Sequence, residues 1–134
     1  MQEDDEYMNN YDNRNVRREY INFILKFDKD QLDVITYANT IGLSLDQINI
    51  FAHPNFDSFS MREIITCIRD GMSIEQLNVV ANPEFKNLGK IVQAKIGFDL
   101  GLSVEEVSQY AKPEYTVAEM IKMRIDITST KENK

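Results

Sequence analysis

The chain has 134 residues, 43% of them apolar, with only five glycines and three prolines; that is enough for one globular domain that hides roughly two-thirds of its surface on folding. A formal net charge of -7 argues against a broadly basic nucleic-acid binder, because neutralising phosphates needs an excess of Lys and Arg. One Cys and one His leave little for disulfide, metal or nucleophile chemistry, and no cofactor is expected.

Residues 1–14, MQEDDEYMNNYDNR, carry five acids against one Arg and no periodic apolar face, so this stretch holds -4 of the total charge. It reads as a disordered or loosely attached acidic arm. No basic and then apolar run marks a signal peptide, and no apolar stretch approaches the roughly 18 residues of a membrane span. A cytoplasmic protein is expected.

The rest of the chain repeats itself. GLSLDQINIFAHPNF starts at Gly42, GMSIEQLNVVANPEF at Gly71 and GLSVEEVSQYAKPEY at Gly101, three copies of one phrase spaced by 29 and 30 residues. Ser44, Ser73 and Ser103 are helix N-caps, completed three residues on by Gln47, Gln76 and Glu106 in the capping-box pattern. Asp46, Glu75 and Glu105 put negative charge in the first turn, where the helix dipole favours it. Leu43, Met72 and Leu102 stand where a hydrophobic staple packs on Ile48, Leu77 and Val107. The preceding Gly42, Gly71 and Gly101 fit left-handed C-terminal caps of the previous helix. Pro54, Pro83 and Pro113 end a short first helix, and Phe56, Phe85 and Tyr115 anchor the corner that follows.

A second helix then runs to the next Gly. Met61, Ile64, Ile65 and Ile68 form its apolar stripe in one copy, and Val117, Met120, Ile121 and Ile127 in the last. The third copy carries Gly89 and Gly97 in this helix, which predicts a bend or a start after Gly89. A fourth copy lies at the front, where KFDKDQLDVITYANTIG aligns with NFDSFSMREIITCIRDG. Its first helix is atypical, with Asn15 as cap and Glu19 at a core position, as expected of a polar end unit that stops the stack growing. The expected fold is therefore all-α: a right-handed, α-solenoid-like stack of about four helical hairpins, about eight helices in all. Its units are 15–42, 43–71, 72–101 and 102–128, followed by a polar tail, 129–134.

The phrase resembles a short helical-hairpin repeat with a consensus near GLSxEQVxxYAxPxFxxxQMxEIRxGLxxG. It is seen in tandem in uncharacterised proteins of low-GC Gram-positive bacteria, their phages and mobile elements. MREIITCIRDG continues the likeness, whereas KNLGKIVQAKIGFDLG and the front helix depart from it. The resemblance implies an all-helical repeat and no catalytic residues, since the shared positions are caps, turns and core. The architecture is similar to tetratricopeptide and HEAT arrays, without the tetratricopeptide signature.

Such surfaces bind proteins, which makes a non-enzymatic binding module the expected function. The mobile-element setting that the resemblance implies suggests a small inhibitor of anti-CRISPR type, docking a larger protein or ribonucleoprotein of a host defence system. Two charge patterns could serve it. Glu3, Asp4, Asp5 and Glu6 on the arm, with Asp46, Glu75 and Glu105, could mimic nucleic-acid phosphates, although capping accounts for the last three. Lys86, Lys90 and Lys95, Arg62 and Arg69, with Lys122 and Arg124, could form a basic stripe for an acidic partner or a nucleic-acid backbone, although solvated helix faces carry such residues routinely. The alternatives are a nucleic-acid-binding or DNA-mimicking regulator and a structural protein that dimerises through the C-terminal unit, where Met120, Met123, Ile125 and Ile127 crowd one helix.

Enzyme chemistry finds no foothold. His53 fills a variable corner slot taken by Asn82 and Lys112 in the sister units, and Cys67 lies in an apolar helical stretch that suits a buried structural thiol. Glu105 and Glu106 are neighbours on a helix and so point apart. The row Phe27, Phe56, Phe85 and Tyr115 is better suited to core packing than to stacking bases.

Overall fold

Every junction between units is built by the same few backbone bonds. Gly42, Gly71 and Gly101 have φ of 86°, 88° and 86°, the left-handed conformation that glycine enters without a Cβ penalty. At the first, the Gly42 N–H donates to the Asn39 carbonyl and the Leu43 N–H to the Ala38 carbonyl. Gly71 with Met72 and Gly101 with Leu102 repeat the pattern. This is a Schellman cap, and it turns each long helix directly into the next short one.

The computed structural model describes residues 14–132. Among them lie eight helices and no strand. They are α1 (14–24), α2 (Lys29–Thr40), α3 (Leu45–Phe51), α4 (Ser58–Arg69), α5 (Ile74–Val80), α6 (Leu88–Asp99), α7 (Val104–Tyr110) and α8 (Val117–Glu132). The capping boxes at Ser44, Ser73 and Ser103 are all formed. The long helices also have caps: Asp28 with Gln31, Asp57, Asn87, and Thr116 with Glu119.

The long helices α2, α4, α6 and α8 pack on one another in succession. The short helices α3, α5 and α7 form a second layer, each against its own long helix and the one before it. The core runs between the layers as rows at the repeat spacing: Phe27, Phe56 and Phe85; Met61, Ile91 and Met120; Phe51, Val80 and Tyr110, all buried. Small residues, Ala38, Cys67 and Gly97, stand at one equivalent place in α2, α4 and α6, and at Gly97 the space a Cβ would fill is taken by Tyr110. Ala38 goes with Phe51, Cys67 with Val80, and Gly97 with Tyr110, each pair 13 residues apart in the chain.

The prolyl corners are bonded across units. The Gln31 side-chain amide donates to the Pro54 carbonyl at 3.1 Å and to the Phe56 carbonyl at 2.6 Å. The Asn55 amide donates to the Pro83 carbonyl at 3.0 Å, and the Lys90 ammonium to the Pro113 carbonyl at 2.7 Å. Each unit thus satisfies a carbonyl of the next, where the corner leaves it without an in-helix partner.

Four details differ from the expectation. Asn15 lies inside α1 and is not its cap, because the helix already includes Arg14. Glu19 and Asn22 are exposed, while Phe23 and Ile24 are the half-buried residues, so α1 has turned its apolar face by about one residue to avoid burying a carboxylate. Residues 129–132 are helical: α8 runs to Glu132, and Lys131 donates to the Gly101 carbonyl and the Glu106 carboxylate, both at 3.1 Å. Finally, α6 starts at Leu88 and includes both glycines. A Cβ at Gly89 would lie 3.0 Å from Val117 Cγ2, and one at Gly97 would lie 2.1 Å from the Tyr110 hydroxyl. Both glycines make room for neighbours.

Candidate binding groove

Two of the anticipated basic residues meet in a groove. Arg62 and Arg69 stand on α4 two helical turns apart, about 10.5 Å along the axis. With Ile65 and Thr66 of the same helix, and Asp33, Val34 and Tyr37 of α2, they line a groove of about 480 Å³. Both arginines are exposed, and neither is in an ion pair among the described residues. Asp33, the one acid in the lining, is held by Lys29 at 3.1 Å. The floor is apolar, with Val34 and Ile65 buried, and Tyr37 forms a half-exposed aromatic wall.

The same position is closed further along the stack. Lys95 on α6 lies 3.6 Å from Glu63 and 3.7 Å from Asp99, so its charge is engaged between α4 and α6. Between α6 and α8, the Arg124 Nε donates to Gln93 Oε1 at 3.2 Å. Lys90 reaches Pro113 instead of solvent, and Lys86 is exposed at a corner away from the groove lining. The seven basic residues therefore do not form a single stripe: Arg62 and Arg69 face one groove, Lys90, Lys95 and Arg124 bond within the stack, and Lys86 and Lys122 are exposed apart from the groove lining. Glu3, Asp4, Asp5 and Glu6 lie outside the described residues.

Asp46, Glu75 and Glu105 are exposed in the first turns of α3, α5 and α7, as capping explains. In the capping box of α7, the backbone N–H of Ser103, with Lys131 beside it, holds the Glu106 carboxyl below its usual range. Phe27, Phe56 and Phe85 are buried and Tyr115 half-buried, so this row is core. His53 accepts the Asn55 N–H at 3.1 Å and packs edge-on to Phe56, a corner role. Burial pushes the Cys67 thiol up to about 12, which leaves it protonated and inert as a nucleophile. Among the described residues no group of three or more His, Cys, Asp or Glu side chains could hold a metal, and no helix is long and apolar enough to cross a membrane.

Asp33, Val34, Tyr37 and Thr66 of the lining were not anticipated, and Ile65 was expected only as part of the apolar stripe of its helix. Tyr37 had a signal: its repeat equivalents are Thr66, Ile96 and Ile125, so an aromatic at this position breaks the register. At the C-terminal end, Met120 is buried and Met123 and Ile127 pack on the core, leaving Ile125 half-exposed. Large exposed apolar side chains gather instead at the front, at Val16, Tyr20, Ile21 and Leu25.

Comparison with protein-family models, curated proteins and solved structures gave no match.

Proposed function

We propose that the chain is a non-enzymatic protein-binding module that seats an acidic segment of a larger protein or ribonucleoprotein in the groove between α2 and α4. The observation that carries this reading is the pair of guanidiniums two turns apart over an apolar floor, in no ion pair among the described residues, whereas Lys90 and Lys95 of the next long helix are engaged within the stack. Guanidinium suits the role, because its planar fork binds carboxylates bidentately and its hydration is weak enough to surrender. Tyr37 and Ile65 would supply the apolar anchor that interfaces concentrate at their centre. As its specific form we propose a small inhibitor of anti-CRISPR type, encoded by a phage or mobile element. That form is supported by the repeat phrase and by a compact body that carries the α2–α4 groove.

The test is affinity capture from nuclease-treated, phage-infected host extract, followed by titration of the purified partner against the wild type and the Arg62→Glu/Arg69→Glu variant. A stoichiometric protein whose affinity falls with salt and falls at least tenfold in the variant, about 1.4 kcal/mol, supports the reading. Equal affinity for the variant removes the groove from the interface. Direct duplex binding by the purified chain would favour the nucleic-acid alternative, and substrate turnover without a partner would overturn the non-enzymatic role.

A further inference from the structure

The groove has a candidate occupant within the same chain. We propose that the acidic segment Glu3–Glu6 docks in the α2–α4 groove on Arg62 and Arg69, so that the arm competes with the external partner for that seat; this rests on reading the groove as a site for acidic chain. The charges are complementary, since four consecutive acids meet two arginines whose only acidic neighbour in the lining, Asp33, is already held by Lys29. The spacing also fits. In a polyproline II segment, with three residues per turn and about 3.1 Å of rise per residue, residues 3 and 6 fall on one side about 9 Å apart. The arginines are about 10.5 Å apart along α4. Glu3 and Glu6 can therefore face the two guanidiniums together, while Asp4 and Asp5 turn toward water.

The reach is sufficient. Eight residues carry the chain from Glu6 to Arg14 at the start of α1, and they span up to about 26–29 Å when extended. A route along the roughly 16 Å of α1 and across one helix-to-helix step of about 8–10 Å would use nearly all of that extension. The span exceeds the slack length of an eight-residue linker, about 14–17 Å, so the effective concentration at the groove falls below the millimolar of a matched short linker. Charge pairing at low salt must therefore hold the arm in its seat, and it yields to a partner that also uses Tyr37 and Ile65.

The test uses the full chain with Asn9→Cys carrying a nitroxide. Cys67 is fully buried and stays unlabelled, so the spin reports the arm alone. The amide signals of Tyr37, Ile65, Thr66 and Arg69 should lose most of their intensity at low ionic strength. They should recover near 1 M salt, where the Debye length is about 3 Å. Arg62→Glu/Arg69→Glu should abolish the broadening, and adding Glu3→Lys/Glu6→Lys should restore it. Absence of broadening at low salt in the folded wild type overturns the proposal. So does broadening that appears equally when isotope-labelled chains without a spin are mixed with spin-labelled chains, since the occupant is then a second copy. The two readings fail separately. Loss of partner binding in the arginine variant without arm broadening keeps the groove and removes the arm, whereas arm broadening with arginine-independent partner binding does the reverse.

Discussion

Gly97→Ala should destabilise the fold, and Tyr110→Phe should rescue it. A Cβ at position 97 would lie 2.1 Å from the Tyr110 hydroxyl, 2.9 Å from Val107 Cγ2 and 3.2 Å from Tyr110 Cζ. The first distance cannot be accommodated, so the ring must move and the hydroxyl must leave the Gln93 carbonyl, to which it donates at 2.7 Å. Overpacking of this kind costs about 1–3 kcal/mol, and the lost hydrogen bond about 1 kcal/mol. Exchanging Gly for Ala inside a helix returns about 1 kcal/mol, leaving a net loss of about 1–3 kcal/mol. Tyr110→Phe alone should cost about 1 kcal/mol, from the bond and a small void. The double variant has Ala and Phe at the positions that hold Ala38 and Phe51 in the earlier unit, and should come within about 1 kcal/mol of the wild type. Urea titrations of the four proteins give the coupling directly. Costs that add within about 0.5 kcal/mol, or a Gly97→Ala protein as stable as the wild type, would refute the size-compensation argument.

Gly71→Ala tests the opposite case: a Cβ there meets nothing within 4 Å, so its cost comes only from the left-handed φ of 88°. The loss should be about 1–2 kcal/mol and Gly71→Asn should lose less, which denaturant midpoints will show. Lys90→Met removes the donor to the Pro113 carbonyl and should cost about 1 kcal/mol, while Lys90→Gln, which copies the chemistry of Gln31, should recover part of it. In acid, Glu106 and Glu119 have carboxyl pKa values lowered by backbone N–H bonds, from Ser103 and Thr116. Their support is present above the unfolded value of 4.5 and fades as pH falls through the lower folded values. Glu106→Gln keeps the capping box, as Gln47 and Gln76 do, and should flatten part of that acid slope in pH-dependent melts. In alkali the sign reverses: burial pushes Cys67 from 9.0 and Tyr110 from 10.0 each to about 12, so the folded state keeps protons that the unfolded chain loses. Stability should fall as pH rises above about 9, and Cys67→Ala should remove the first part of that fall.

The fold was legible because its signals are local. A Ser followed three residues later by Gln or Glu, a Gly before it and a Pro beyond it each specify a backbone conformation without reference to the rest of the chain, and all three copies form the predicted caps. The front helix was harder, since the alignment that placed Glu19 under Ile48 held the 29-residue register, whereas the desolvation cost of a carboxylate turned the helix to Phe23 instead. The basic residues were least legible. Lys90 and Arg69 look alike in the sequence, and only the position of the Pro113 carbonyl, 23 residues further on in the chain, separates a structural ammonium from an available guanidinium.

That separation also says why this groove lies between α2 and α4. The repeat builds three equivalent contacts between successive long helices, and in two of them a side chain crosses the gap: Lys95 to Glu63, and Arg124 to Gln93. In the first, the position equivalent to Lys95 is Ile65 and its counterpart on α2 is Val34, so no polar bridge can form and the floor is apolar. Arg62 and Arg69 then flank this apolar strip from the exposed side of α4. A repeat protein acquires a site where one unit omits the link that the others make. Replacing Val34 by Glu and Ile65 by Lys would rebuild that link and should close the groove, at a loss of stability in urea titrations because both positions are buried more deeply than Glu63 and Lys95.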